Sequence, residues 1–169
     1  MSKIWKITIG AAVILITLSA VFCFLRGTDN PLDATYLIEG SPVTLENGRS
    51  ETEIVPGSAS KQITTVLWAP TKGGLNSDKR DDYAMILTQN FGGSGTFYYI
   101  VAGIGSWKGI TGTNGIFLGD RIAPENISIS NGEILVNYAE RKADDPMTAQ
   151  PSVGVSKYLV LKDGLLIEK

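Results

Sequence analysis

The segment GGLNSDKRDDYAMIL, residues 73–87, places oxygen-bearing side chains at alternate positions: Asn76, Asp78 and Asp82. A calcium loop of the D-x-[DN]-x-[DN]-G kind needs that spacing, because alternate ligands converge on one ion while a Gly at the sixth position lets the chain turn tightly. With Gly74 as position one, Asn76 falls at three and Asp78 at five. Arg80 at seven would offer its carbonyl, and Asp82 falls at nine. These four are the candidate Ca2+ ligands. Gly74 brings no carboxylate, Lys79 stands at the turn glycine, and Met85 stands where a bidentate Glu belongs. The alternative is a polar turn in which Asn76 and Asp78 bond the local backbone.

The chain has no histidine, and its one cysteine is Cys23. That removes Ser-His-Asp and Cys-His catalysis and every His- or Cys-ligated zinc site beyond Cys23. Two weaker catalytic patterns remain. Ser58-Ala59-Ser60-Lys61 matches S-x-x-K, but in the enzymes that use it the motif opens a helix and is completed by K-T-G and S-D-N elements. Here Thr71-Lys72-Gly73 gives the K-T-G residues in the wrong order. Glu140, Asp144 and Asp145 could form a glycosidase-like carboxylate pair. They share their segment with Arg141 and Lys142, which predicts a solvated loop.

A binding surface is the other expectation. QNFGGSGTFYY, residues 89–99, sets three glycines before a strand carrying Tyr98 and Tyr99. Together with Trp107, Asp120, Arg121, Arg141, Asp144 and Asp145 these residues would make an aromatic and charged face for a protein, peptide or glycan. The alternative is that Phe97 and Tyr99 are core and the glycines only turn the chain.

The elements that must position these residues read mainly as β-strands. ISIS-NG-EILV, residues 127–136, alternates apolar and polar residues on both sides of an Asn-Gly pair, the signal of a type I′ hairpin. Asn47-Gly48 and Asp163-Gly164 repeat the device, and TYLI, residues 35–38, turns through Glu39-Gly40-Ser41-Pro42. QITTVLW (62–68), YAMILT (83–88), TFYYIVAG (96–103) and GIFLG (115–119) are further strand candidates. Residues 138–158 contain a long stretch without strand pattern, as functional or mobile loops do. All seven prolines and all but one of the 19 glycines follow residue 26, and no capped helical period appears there. The expected fold is antiparallel β, a sandwich or open barrel built from hairpins, at 35–169.

Ahead of it lie a short polar linker, residues 27–34, and an N-terminal apolar segment. Residues 7–25 are nineteen residues without a charge. As a helix they would span roughly 28 Å, near the thickness of a bilayer core. Lys3 and Lys6 precede the run, so the N-terminus is expected in the cytoplasm and the β domain outside, as a single-pass inner-membrane protein. A cleaved signal peptide, or a lipoprotein signal at Cys23, is the alternative; the run is long for the first, and Phe22 is large for the second. All 17 acidic residues follow residue 26, but three of the 15 basic ones precede residue 27. The acidic balance of the β domain argues against nucleic acid as a partner.

The strings DATYLIEG (33–40), GSASKQITT (57–65), LNSDKRDD (75–82), LTQNFGGSGTFYY (87–99), LGDRIAP (118–124) and NYAERKADDPMTAQPSVGVSKYL (137–159) resemble a family of small bacterial proteins. Its members join a membrane anchor or export signal to one β-rich domain of unassigned role. Many carry a fuller loop of the form D-x-N-x-D-G-x-x-D. By position, the resemblance implies ligands at Asn76, Asp78 and Asp82, with Gly74 and Lys79 as departures. The combined expectation is a tethered, non-enzymatic envelope domain that binds a partner, with a calcium-stabilised domain or a carboxylate- or Ser/Lys-dependent hydrolase as alternatives.

Overall fold

The computed structural model describes residues 27–57, 59–146 and 148–169. The predicted anchor at 7–25 and Ser58 of the S-x-x-K pattern lie outside the described residues. Among those described, no helix is long and apolar enough to cross a membrane. After a 3₁₀ turn at Pro31–Asp33 the order is β1 (Thr35–Ile38), β2 (Ser41–Thr44), β3 (Arg49–Glu53), β4 (Lys61–Val66), β5 (Thr71–Gly73), β6 (Asp82–Asn90) and β7 (Phe97–Ser106). Then come β8 (Gly109–Gly112), β9 (Ile116–Asp120), β10 (Ala123–Ser130), β11 (Glu133–Glu140), β12 (Val153–Lys162) and β13 (Leu165–Glu168).

Among the described residues all strand pairs are antiparallel and fall into three sheets. The large sheet runs β3-β4-β6-β7-β8, with β5 added to β6 and β9 to β7; β10 to β13 form a meander, and β1 pairs β2. Strands β6 and β7 are buried on both faces, which is why their sequences, AMIL and IVA, are apolar runs without alternation. One face, with Ala84, Ile86, Ile100 and Ala102, packs on Ile134, Val136, Tyr138, Leu159 and Leu166 of the meander. The other, with Met85, Leu87, Tyr99 and Val101, packs on Tyr36, Ile38, Val43 and Leu45. Each fully buried Leu or Ile contributes about 1.5–3 kcal/mol relative to exposure. Leu37 meets Asn114 in a parallel bridge, so the small hairpin curls onto the rim of the large sheet.

Asn131-Gly132 and Asp163-Gly164 adopt the two left-handed conformations of a type I′ turn and join paired strands, as predicted. Asn47-Gly48 has the same geometry but a different use. It closes a single bridge, Glu46 to Arg49, after which β2 stays with β1 and β3 leaves for β4. The expected hairpin is therefore a switch between sheets. The first turn is also shorter than expected: Glu39-Gly40 make it alone, and Ser41-Pro42 belong to β2.

The stretch read as a linker, 27–34, is part of the packed unit. Thr28 bridges Ile110, and Pro31 and Ala34 are buried. The Tyr36 hydroxyl, buried and thereby shifted to a higher pKa, donates to the Pro31 carbonyl at 2.7 Å. Asp33 accepts from Asn30 Nδ2 at 2.7 Å and from the Asn47 amide at 2.6 Å, tying the segment to the sheet switch.

Candidate functional site

The loop after β5 shows what its alternating oxygens do. Asn76 Oδ1 accepts the Asp78 amide at 3.1 Å, and Asp78 Oδ1 accepts the Arg80 amide at 2.8 Å, so two Asx turns follow one another. Ser77 and Lys79 take left-handed φ values of 60° and 65°. Asp82 is fully buried; its Oδ2 accepts the Leu75 amide at 2.7 Å and its Oδ1 the Gly105 amide at 2.9 Å. It points into the protein and braces the loop against β7, whereas Asn76 and Asp78 are exposed. Asp82 is thus turned away from Asn76 and Asp78, whose side chains meet at the surface with Asn76 Nδ2 donating to Asp78 Oδ2 at 3.2 Å, so the predicted ligand set is divided. Among the described residues no group of three acidic side chains lies close enough to hold a metal ion.

The catalytic patterns also come apart. Lys61 pairs with Glu51 at the exposed β3–β4 edge, and Lys72 pairs with Asp81 at 2.7 Å. Ile63 lies opposite Asn90, and Lys72 opposite Tyr83, so the two lysines sit toward opposite ends of β6. Asp144 is exposed, and Asp145 accepts the Lys142 amide at 3.3 Å within a loop turn.

The start of β7 gathers the aromatic residues. Tyr99 lies opposite Phe117 and Phe97 opposite Asp120, with a bulge between that re-aims β9. Four rings follow one another along this face. Phe91 meets Phe97 at 5.7 Å, Phe97 meets Phe117 at 6.5 Å, and Phe117 meets Tyr99 at 5.3 Å between centroids. Tyr99 is buried and donates to Glu39 Oε1 at 2.9 Å; burial, then the Glu39 bond, hold its hydroxyl in the neutral form. Phe91 and Phe117 remain 39% and 48% exposed. Tyr98 points to the opposite face, where it packs against the meander core.

A charged cleft includes Asp120, the residue opposite Phe97. It encloses about 230 Å³ between the end of β9 and the loop after β11, and is lined by Asp120, Ile122, Glu140, Arg141, Lys142 and Asp145 among others. Asp120 Oδ2 accepts Arg121 Nη2 at 2.6 Å and Nε at 3.0 Å, and Oδ1 accepts the Thr96 amide at 2.9 Å. The Arg121 bonds first, and the Thr96 amide next, hold the Asp120 carboxyl below the ordinary carboxylate range. Arg141 reaches the Arg121 and Asp120 carbonyls at 3.3 and 3.4 Å. A carboxylate held ionised in this way is not poised to donate a proton.

Of the predicted surface residues, Asp120, Arg121, Arg141 and Asp145 are brought together, with Asp144 on the same loop, whereas Tyr98 and Tyr99 pack against the two cores, because strand alternation sends one to each face of the sheet. Trp107 is not among them: it stands 75% exposed at the far end of β7, in the turn to β8. Phe91 and Phe117 complete the row and were not singled out from sequence, because the register that sets Phe117 beside Tyr99 has no local signal. Comparison with known protein families, with curated proteins and with solved structures finds no match for this chain.

Proposed function

We propose that the chain is a membrane-tethered, non-enzymatic envelope module. In this reading residues 7–25 are the anchor, and the described residues form a β-sandwich framework that binds a protein or peptide partner. The observation that carries the reading is the aromatic row Phe91–Phe97–Phe117, with Phe91 and Phe117 half-exposed and the Arg121-paired Asp120 opposite Phe97. Large rings at the centre of a patch with a polar rim are what interface hot spots are made of. A glycan is the second reading. Sugar faces stack best on rings offered in one plane, but neighbouring rings here are turned by 66°, 38° and 51°. Such a row offers edges and gaps that suit inserted apolar side chains.

The double variant Phe91→Ser/Phe117→Ser tests the reading. The expected result is a retained fold and loss of the native-gel complex formed by the full chain in solubilised envelope membranes. A complex that persists unchanged contradicts the assigned surface, and a complex dissolved by glycan hydrolases but not by proteases favours the glycan.

A further inference from the structure

Trp107 is more exposed than any other large apolar side chain among the described residues, at 75%. Its turn is rigidly built. Ser106 Oγ donates to the Gly109 carbonyl at 2.8 Å and accepts the Lys108 amide at 3.2 Å. Gly109 holds φ at 115°, and a Cβ there would lie 2.7 Å from Gly27 and Thr28 backbone atoms. The indole is therefore presented to solvent by a fixed hairpin. Lys108 Nζ stands 5.0 Å from the centroid of that ring.

The position of this turn gives it meaning. The Gly27 amide donates to the Lys108 carbonyl at 2.6 Å, so the chain enters the described residues directly beside Trp107. The residues before it include the nineteen-residue uncharged run 7–25. Exposed Arg80 flanks the same end, its Cβ lying 3.7 Å from where a Cβ on Gly105 would stand. An indole has an apolar body and one N–H donor, and it settles at the bilayer–water boundary; a lysine beside it reaches lipid phosphate through its flexible stem.

We propose that the Trp107–Lys108 turn is a membrane-interface contact. The indole lies at the headgroup boundary of the bilayer that holds residues 7–25, and the Lys108 ammonium lies against phospholipid phosphate. The contact fixes which end of the domain faces the membrane. Trp107 lies beyond one end of β7 and the row Phe91–Phe97–Phe117 at the other, so the row is turned away from the bilayer. The inference rests on the tethered reading above and adds an orientation to it.

The full chain carries three tryptophans, Trp5, Trp68 and Trp107. Two single-tryptophan forms test the proposal: Trp5→Phe/Trp68→Phe, which keeps Trp107, and Trp5→Phe/Trp107→Phe, which keeps Trp68. Each is reconstituted into phosphatidylcholine vesicles, with and without lipids brominated near the headgroup. The expected result is that both forms float with the vesicles, that Trp107 emission shifts to shorter wavelength and is quenched by bromine, and that Trp68 emission does neither. A chain that floats while Trp107 stays unquenched overturns the contact and leaves the tether intact. A chain that does not float overturns both.

Discussion

The carboxylate of Asp82 accepts the backbone N–H of Gly105 at 2.9 Å, with neither group exposed to water. Its other oxygen holds the Leu75 amide, so one buried side chain fastens the 75–81 loop to β7. Asp82→Ala leaves two buried donors without partners and is expected to cost about 3 kcal/mol or more. Asp78→Ala, in the exposed Asx turn, is expected to cost less than about 1 kcal/mol. Urea denaturation of both variants measures the contrast; equal costs would contradict the roles assigned here.

The same geometry predicts the response to calcium. An ion bound to the native state at ~100 times its dissociation constant would add about 2.7 kcal/mol. Because Asp82 is turned inward and the Asn76 and Asp78 oxygens serve the loop backbone, excess calcium is expected to leave the melting temperature where EDTA leaves it. A clear upward shift, lost in Asp78→Ala, would show that the loop rearranges around an ion.

Gly105 is fixed by space as well as by its hydrogen bond. A Cβ there would stand 2.3 Å from the Asp81 carbonyl oxygen, and backbone cannot yield as a side-chain tip can. Gly105→Ala is expected to destabilise the fold by about 3 kcal/mol, in the range of severe overpacking. Gly74→Ala, with nothing near its would-be Cβ, is the matched control. A thermal melt of the two separates a steric demand from a general intolerance of the loop.

Asp120 gives a pH dependence of definite sign. Arg121 and the Thr96 amide lower its folded pKa below the unfolded one. Its contribution is therefore present above the unfolded value, roughly 3.9, and is lost as pH falls through the lower folded value. Relative to Asp120→Asn, the wild type is expected to be more stable at neutral pH, with the difference shrinking on acidification. Urea midpoints at neutral and strongly acidic pH check this. A difference that grows on acidification would contradict the pairing.

How much of this could be read from sequence follows from what is local. Asn131-Gly132 and Asp163-Gly164 announce their hairpins because positive φ at two successive residues is a property of those residues. Asn47-Gly48 announces the same turn, but which sheet receives β3 depends on β4, far along the chain. The short strands β5 and β8 carry glycines for close approach and too few residues to show a period. Gly73 is one: a Cβ there would fall 2.5 Å from Ile129 of β10. The calcium resemblance of 74–82 has a physical source, since successive Asx turns and a calcium loop both put oxygens at every second residue. Burial of Asp82 separates the two, and burial is not local. The aromatic row is non-local too, because Phe117 reaches Tyr99 only through the bulged register of β9.

Phe117 and Tyr158 provide the most direct test of the proposed binding surface. Both are 48% exposed; one lies in the aromatic row, and the other faces outward from the meander opposite Leu135. A photo-cross-linking amino acid is placed at each position in turn in the full chain, in living cells. The result expected is a discrete protein adduct from position 117 that disappears with Phe91→Ser, and none from position 158. Identical adducts from both positions, or none from 117, would contradict the assignment of the aromatic row as the partner-binding face.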